Sequence, residues 1–315
     1  MVLNHKPSVS VIIPCYNASK FIRETLASVL TQKLKPIEIL LIDDGSTDNS
    51  AIIAKDFDSS IRIIWQENQG AGIARNKGIE AAKGEWTAFL DADDIWEPEK
   101  LETQMAAIEA EEDIICCHTG FYMLEEDFSK TPVNTIASVL NQDYRIETLL
   151  LEPLINTSTA VIRTDSPVRF PDCKQQGEDM MFFTELSEHG RFYFVPKPLA
   201  GYRRHPQQIT RRDINAWSAH FRNRFNWVDA NVTRIGEDRA DNLRMLLRRQ
   251  VIDWLNLARW NRQWHRYEDL RKYAKGLDWP DGLPRALHER LYPRSIYQIK
   301  DIIDQLLNKR WHINK

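Results

Sequence analysis

Through the N-terminal third of the chain, short apolar runs alternate with stretches whose apolar residues recur every three or four positions. Residues 8–14 (SVSVIIP) are rich in Val and Ile and bounded by Pro, which predicts a buried strand. Over 19–32, Ile22, Leu26, Val29 and Leu30 fall on one helical face. Residues 37–42 (IEILLI) predict a second strand, followed by a DDGSTD turn and a helix over roughly 47–57, with Asp48 placed to complement its N-terminal dipole. A third strand at 61–65 (IRIIW) leads to a helix at 71–83 that Gly84 stops. A fourth strand, 86–90 (WTAFL), ends at Asp91, and a helix runs from about Glu97 to Glu111. This alternation predicts an α/β fold: a mostly parallel sheet flanked by helices. In such sheets ligands bind beyond the carboxyl ends of the strands. The loops there hold Pro14-Cys15-Tyr16-Asn17, Asp43-Asp44-Gly45-Ser46 and Asp91-Ala92-Asp93-Asp94, so polar and acidic groups converge at one edge.

Farther on, residues 113–123 predict another strand, 129–150 are less regular, and 158–163 and 191–195 predict strands. From about residue 213 the pattern is helical, with Leu243, Leu246, Leu247, Val251, Leu255 and Ala258 on one face and Pro280, Pro284 and Pro293 breaking the tail. Charge divides the chain at the same place. Residues 1–210 carry 20 Lys+Arg against 32 Asp+Glu, and residues 211–315 carry 22 against 13, within a net charge of −3. Seven of the ten tryptophans lie in the second segment, so the chain reads as an acidic body, 1–210, and a basic, Trp-rich helical extension, 211–315.

With 43% apolar and 28% charged residues the composition is that of a globular protein. No window approaches the ~20 apolar residues of a membrane span, and the N-terminus lacks a signal-peptide pattern. Cys15, Cys116, Cys117 and Cys173 form no C-x-x-C, which argues against a disulfide framework or zinc site and for a reducing, cytoplasmic setting. The acidic body and the lack of a recognised module argue against nucleic acid as a partner.

Asp91-Ala92-Asp93 at a strand end has the chemistry to hold Mg2+ or Mn2+, which prefer oxygen ligands and neutralise a leaving diphosphate. A solvated acidic turn is the competing reading of a bare DxD. Asp43-Asp44-Gly45-Ser46 reads equally as a ribose or base acceptor and as a capped turn. Gly70-Ala71-Gly72 opens a helix but follows the third strand and lacks the third glycine of a dinucleotide fingerprint. Arg75 in that helix reads either as a contact near phosphate or base or as a surface arginine.

Together the stretches VSVIIPCYNASKFIRETLASVLTQ (9–32), IEILLIDDGSTDNS (37–50), ENQGAGIARNKGIEAAKGEWTAFLDADDIWEPEKL (67–101), GEDMMFF (177–183) and YRRH (202–205) resemble the family-2 glycosyltransferases of the GT-A fold, over about residues 8–206. The resemblance implies a GT-A catalytic domain over 1–210. Pro14, Tyr16, Asp43, Asp44, Arg75 and Asp91 then lie on the nucleotide-donor side, with Tyr16 against the base and Asp44 accepting from it. Asp93 is implied as main metal ligand for Mn2+ or Mg2+, with Asp91 and His205 as further contacts. Asp179 is implied as catalytic base, and Glu178 faces the acceptor. The implied reaction is an inverting transfer from a nucleotide-diphospho-sugar, with UDP favoured, to a glycan or lipid-linked glycan hydroxyl in polysaccharide synthesis. Two other readings stay open: a non-catalytic nucleotide-sugar-binding protein, and a haloacid dehalogenase-type phosphatase, against which Ile95 stands where that family has Thr or Val. For 211–315, packing, self-association and peripheral contact with an anionic inner membrane face are all compatible with basic residues interleaved with Trp.

Overall fold

The computed structural model describes residues 7–133, 144–152, 154–172, 177–206, 208, 216–280, 282, 284 and 287. Cys173, Pro293 and Trp311 lie outside the described residues. The parallel half of the sheet forms as the periodicity predicts. β1 (Val9–Cys15), β2 (Glu38–Asp44), β3 (Ile61–Gln66) and β4 (Trp86–Phe89) alternate with α1 (Ile22–Leu30), α2 (Ser50–Phe57) and α3 (Ala71–Ala81), and all their pairings are parallel. The strand order is β3-β2-β1-β4, so β1 is flanked on both sides and every one of its residues is buried.

Beyond β4 the sheet becomes mixed. β5 (Ile95–Trp96) and α4 (Lys100–Ala110) precede β6 (Ile114–Leu124), β7 (Lys130–Val133), α5 (Ile146–Leu151), β8 (Val161–Arg163), α6 (Glu178–Leu186) and β9 (Arg191–Arg203). The order continues β4-β8-β6-β9-β5; β8 is antiparallel to both neighbours, while β6 and β9 are parallel. β7 and α5 fall in the stretch read as irregular. β9 is longer than the predicted 191–195 because its two prolines looked like a strand end. They are accommodated where the β6–β9 register shifts around Gly120, which pairs with Pro198; a bulge is where a ladder tolerates a missing donor.

The two-residue period of β1 divides the core. Val9, Val11, Ile13 and Cys15 join Ile22, Leu26 and Val29 of α1 and Leu101 and Met105 of α4. Ile12 faces the other side with Ala74 and Ile79 of α3 and Phe182 and Phe183 of α6. Cys15, Cys116 and Cys117 are free thiols, all buried.

Helices α7 (Ala216–Ile235), α8 (Glu237–Trp260) and α9 (Trp264–Lys275) follow. The chain divides into two compact units, residues 1–250 and 251–315. The first contains the sheet, α7 and most of α8, with Phe221, Val228, Ala240, Leu243 and Leu247 buried. In the second, Val251, Leu255, Tyr267, Leu270 and Ala274 are buried, and Trp279 donates its indole N–H to Ala274 O at 2.8 Å. Among the described residues no helix is long and apolar enough to cross a membrane.

Candidate active site

The carboxyl ends of β1, β2 and β4 form one rim. Pro14 is buried within β1, in register with Ile42. After β1 the chain turns at Asn17, whose φ is +52°. Its side-chain Oδ1 accepts the Thr47 and Asp48 backbone N–H groups at 2.8 and 3.3 Å, tying this loop to the one after β2. Tyr16, beside it, is 51% exposed.

Asp43 and Asp44 are both buried. Asp43 Oδ1 accepts the Ser46 N–H at 2.9 Å and closes the turn. Asp44 Oδ1 accepts from Gln66 Nε2 at 2.7 Å and Gln69 N at 2.9 Å, and its Oδ2 accepts from Gly70 N at 2.9 Å. A carboxylate has about four acceptor positions, so both side chains keep capacity for an outside donor while Asp44 fixes the start of α3.

Arg75 lies one turn into α3 and is buried. Its Nη2 is 2.7 Å from Asp91 Oδ1 and its Nη1 is 3.3 Å from Glu178 Oε1, with the guanidinium over the Phe170 ring. Burial opposes its charge, but Asp91 and Glu178 outweigh that and hold its pKa above the ordinary value. The first turns of α3 and α6 are in contact: a Cβ on Gly72 would stand 3.2 Å from Glu178 Cγ. Asp179 follows Glu178 and accepts the Met180 N–H at 2.8 Å. Burial, then the neighbouring Asp179 charge, pushes Glu178 up to about 7. Burial also raises Asp179, with Arg75 opposing.

The Asp91–Asp94 loop is pinned from three sides. Thr25 Oγ1 of α1 is 2.9 and 2.8 Å from the carbonyl oxygens of Ala92 and Asp94. Ser158 Oγ accepts from Asp91 N at 3.1 Å and donates to Asp94 Oδ2 at 2.6 Å. Arg203 of β9 donates its backbone N–H to Asp94 Oδ1 at 3.0 Å and its Nε–H to Asp93 O at 2.8 Å. Asp94 is thus a buried structural carboxyl; burial, then Asp93 and Asp91, raises its pKa well above the ordinary range. Asp91 and Asp93 stay partly exposed.

His205 packs its ring against Phe21 and brings Nε2 within 2.9 Å of Asp93 Oδ2. Among the described residues no three His, Cys, Asp or Glu side chains form a metal cage. Mg2+-type ions are bound by one or two carboxylates plus substrate phosphates rather than by all-protein cages. Two ligands adjacent on an octahedron of ~2.1 Å bonds stand about 3 Å apart, close to the 2.9 Å between Asp93 Oδ2 and His205 Nε2. The imidazole Nδ1 is buried and has no hydrogen-bond partner among the described residues. This pair therefore fits a divalent cation completed by diphosphate oxygens.

Of the residues singled out in the sequence, Arg75, Asp91, Glu178 and Asp179 come together in one cluster. Asp93 and His205 form a second, joined to it by the Asp91–Asp93 turn. Asp44, with Asp43 beside it, connects through the start of α3, and Pro14 and Tyr16 mark the end of β1. Arg75 gives both guanidinium arms to protein carboxylates. Thr25, Ser158 and Arg203 were not foreseen, because their roles depend on α1, the Thr157–Thr159 turn and β9 meeting one loop; only the third acid, Asp94, was a visible hint.

Residues 10–166 match the family described as Glycosyl transferase family 2. The putative teichuronic acid biosynthesis glycosyltransferase TuaG of Bacillus subtilis is 31% identical over 69% of this chain and 85% of its own length. Against three other curated relatives, 36–42% identical, the chain spans only 38–49% of the relative's length. In fold it is similar to S. aureus TarS 1–349 in complex with UDP-GlcNAc, with a TM-score of 0.59, 18% identity, and 85% and 89% of the two chains covered. It is also similar to the mannosyltransferase PcManGT from Pyrobaculum calidifontis in complex with GDP-Man and Mn2+, with a TM-score of 0.53, 16% identity, and 86% and 87% covered. The carboxylate-lined rim, the GT-A architecture and the extended match to TuaG lead to one conclusion: this chain belongs to glycosyl transferase family 2.

Proposed function

We propose that the chain transfers a sugar from a nucleoside-diphosphate donor to an acceptor hydroxyl, with inversion, and that residues 1–210 carry the catalytic groups. Support comes chiefly from the first turn of α6, where the partly buried Asp179 stands next to the Arg75–Asp91–Glu178 cluster, across the Asp91–Asp93 turn from Asp93 and His205.

In this reading Tyr16 flanks the base, and Asp43 and Asp44 accept from the base or ribose with their spare capacity. Asp93 and His205 hold a divalent cation, Mn2+ or Mg2+, which supplies charge neutralisation to the departing diphosphate. Asp91 is oriented by Arg75 for the donor side. Asp179 takes the proton of the acceptor hydroxyl as its oxygen attacks the anomeric carbon opposite the leaving group. One displacement forms the glycosidic bond, breaks the sugar–phosphate bond and inverts the anomeric centre. Burial raises Asp179's affinity for that proton, which strengthens it as a base so long as it remains ionised. UDP is the favoured nucleotide because the TarS complex with UDP-GlcNAc stands among the similar structures, and a bacterial polymer is the favoured acceptor class because TuaG is named for teichuronic acid biosynthesis.

The test is nucleotide release from UDP-GlcNAc, UDP-glucose, UDP-galactose, GDP-mannose and dTDP-glucose, with and without Mn2+, on wild type, Asp93→Ala and Asp179→Asn. The expected result is cation-dependent release that Asp93→Ala abolishes. Asp179→Asn should lower kcat by ~10²–10⁴ while donor KM changes little. Wild-type rates in Asp179→Asn would remove it as the base.

A further inference from the structure

Lys100, the first residue of α4, is fully buried and takes no part in the donor or base contacts above. Its surroundings oppose a cation in three ways. It is out of water, it forms no ion pair among the described residues, and it stands at a helix N-terminus, where the dipole disfavours positive charge. Burial pulls its ammonium down to about 7. What holds it instead is a π face and an amide. Nζ lies 4.2 Å from the centre of the Trp96 ring and donates to Gln104 Oε1 at 2.6 Å. A position that served only packing would take Leu or Met at far lower desolvation cost.

Both partners of Lys100 reach the same turn. Trp96 donates its indole N–H to Ser158 O at 2.7 Å. Gln104 Nε2 donates to Cys117 O at 2.7 Å and to Thr159 O at 3.1 Å. Those two bonds use both amide hydrogens, so Oε1 is left to accept, and Lys100 is its donor. Pairing of β5 with β9 fixes the Trp96 backbone, and Lys100 lies against its ring. Two consecutive carbonyls of the Thr157–Thr159 turn are thus held by side chains that meet at one amine. The hydroxyl of Ser158, in the same turn, accepts from Asp91 N at 3.1 Å and donates to Asp94 Oδ2 at 2.6 Å. Asp93 lies in the chain between those two anchor points.

We infer that Lys100 is a positioning residue: by clamping Trp96 and Gln104 against the Thr157–Thr159 turn, it sets the Ser158 hydroxyl that orders the Asp91–Asp94 loop for a divalent cation. Lys100 touches neither cation nor donor and acts through Ser158. This rests on the reading in which Asp93 holds the cation. It extends the support of that loop into the core, to a residue at the far end of a relay of printed side-chain contacts rather than at the rim.

The experiment measures Mn2+ binding to the full-length chain with equimolar UDP, from the electron paramagnetic resonance signal of free Mn2+ and corrected for UDP alone. Wild type, Lys100→Met, Ser158→Ala, the double variant and Asp93→Ala are compared, and UDP affinity is measured separately in chelator. Met keeps most of the stem and drops the amine. Lys100→Met should weaken Mn2+ binding about 10-fold, the low end for losing an outer partner of a metal site, with cation-free UDP affinity within about twofold of wild type. Ser158→Ala should weaken it at least as much. In the double variant the Lys100→Met loss should vanish, leaving Mn2+ affinity within about twofold of Ser158→Ala alone, because one residue acts through the other. Wild-type Mn2+ affinity in Lys100→Met, alongside lost binding in Asp93→Ala, overturns the inference and leaves Asp93 in place. Losses that multiply in the double variant, as general loosening of the core gives, overturn it too, and so does a parallel loss of UDP affinity. Unchanged Mn2+ affinity in Asp93→Ala overturns the assignment of the cation to Asp93, and the inference with it. Should Lys100→Met fail to fold, Trp96→Phe, which keeps an aromatic ring and loses the indole N–H, decides alone: weakened Mn2+ binding supports the relay, and unchanged affinity overturns it.

Discussion

Asp91, Asp93 and Asp94 share one turn and meet different surroundings. Asp91 faces a guanidinium, Asp93 an imidazole, and Asp94 a hydroxyl and a backbone N–H. Nothing in the order Asp-Ala-Asp-Asp announces that the last is a structural group. Both of its oxygens accept hydrogen bonds, from the Ser158 hydroxyl and the Arg203 backbone N–H. Asp94→Asn keeps an acceptor for the Arg203 N–H and should cost within about 1 kcal/mol. Asp94→Ala strands both the Ser158 hydroxyl and that N–H, at about 1–3 kcal/mol for each buried group left unpaired. Urea unfolding with matched m-values separates the two; equal losses would mean that the ionised form matters. Arg75 carries the same lesson. Its sequence position marks it as a basic residue near the nucleotide, while its contacts show it orienting Asp91 and Glu178.

At the scale of elements, the start of α6 controls where the two adjacent acids point. Gly177 takes a left-handed conformation that costs other residues ~1–2 kcal/mol, and the His220 ring occupies the space a Cβ would need. Gly177→Ala should therefore lose stability through both strain and collision. The double variant Gly177→Ala/His220→Ala should regain only the collision part, leaving about 1 kcal/mol from the backbone. A thermal-melt double-mutant cycle measures this, and full recovery would rule out backbone strain. β9 is the other instructive element. Its prolines hide a strand that carries Arg203 and His205 to the rim, and only the shifted register against β6 shows how they fit.

Across the whole molecule, three acids at the site, Asp94, Glu178 and Asp179, share one sign. Glu178 rises from an ordinary 4.5 to about 7, and Asp94 and Asp179 are raised too. A carboxyl whose folded pKa lies above its unfolded one favours the native state at low pH and loses that contribution as pH climbs through the folded value. The acids held below their ordinary values, Asp48, Glu97 and Glu147, lose theirs only as pH falls below about 4–4.5. In metal-free buffer the unfolding free energy should thus decline between pH 5 and pH 8, and Glu178→Gln should flatten that slope. Equal urea midpoints for wild type across this range would contradict the raised values. The parallel half of the sheet, its helices and the gathering of Asp43, Asp44, Asp91 and Asp93 at one rim were all legible in the chain, because hydrophobic period and strand–helix alternation are local properties that dictate pairing direction. The mixed half was not: β5 and β7 are too short to show a period, and β9 looks broken by Pro. Which acid is structural, where Arg75 sends its arms and how His220 of α7 comes to sit against Gly177 depend on contacts between segments far apart along the chain. Local pattern carries no information about burial or about charges brought close by folding, and those two quantities assign each titratable group its task.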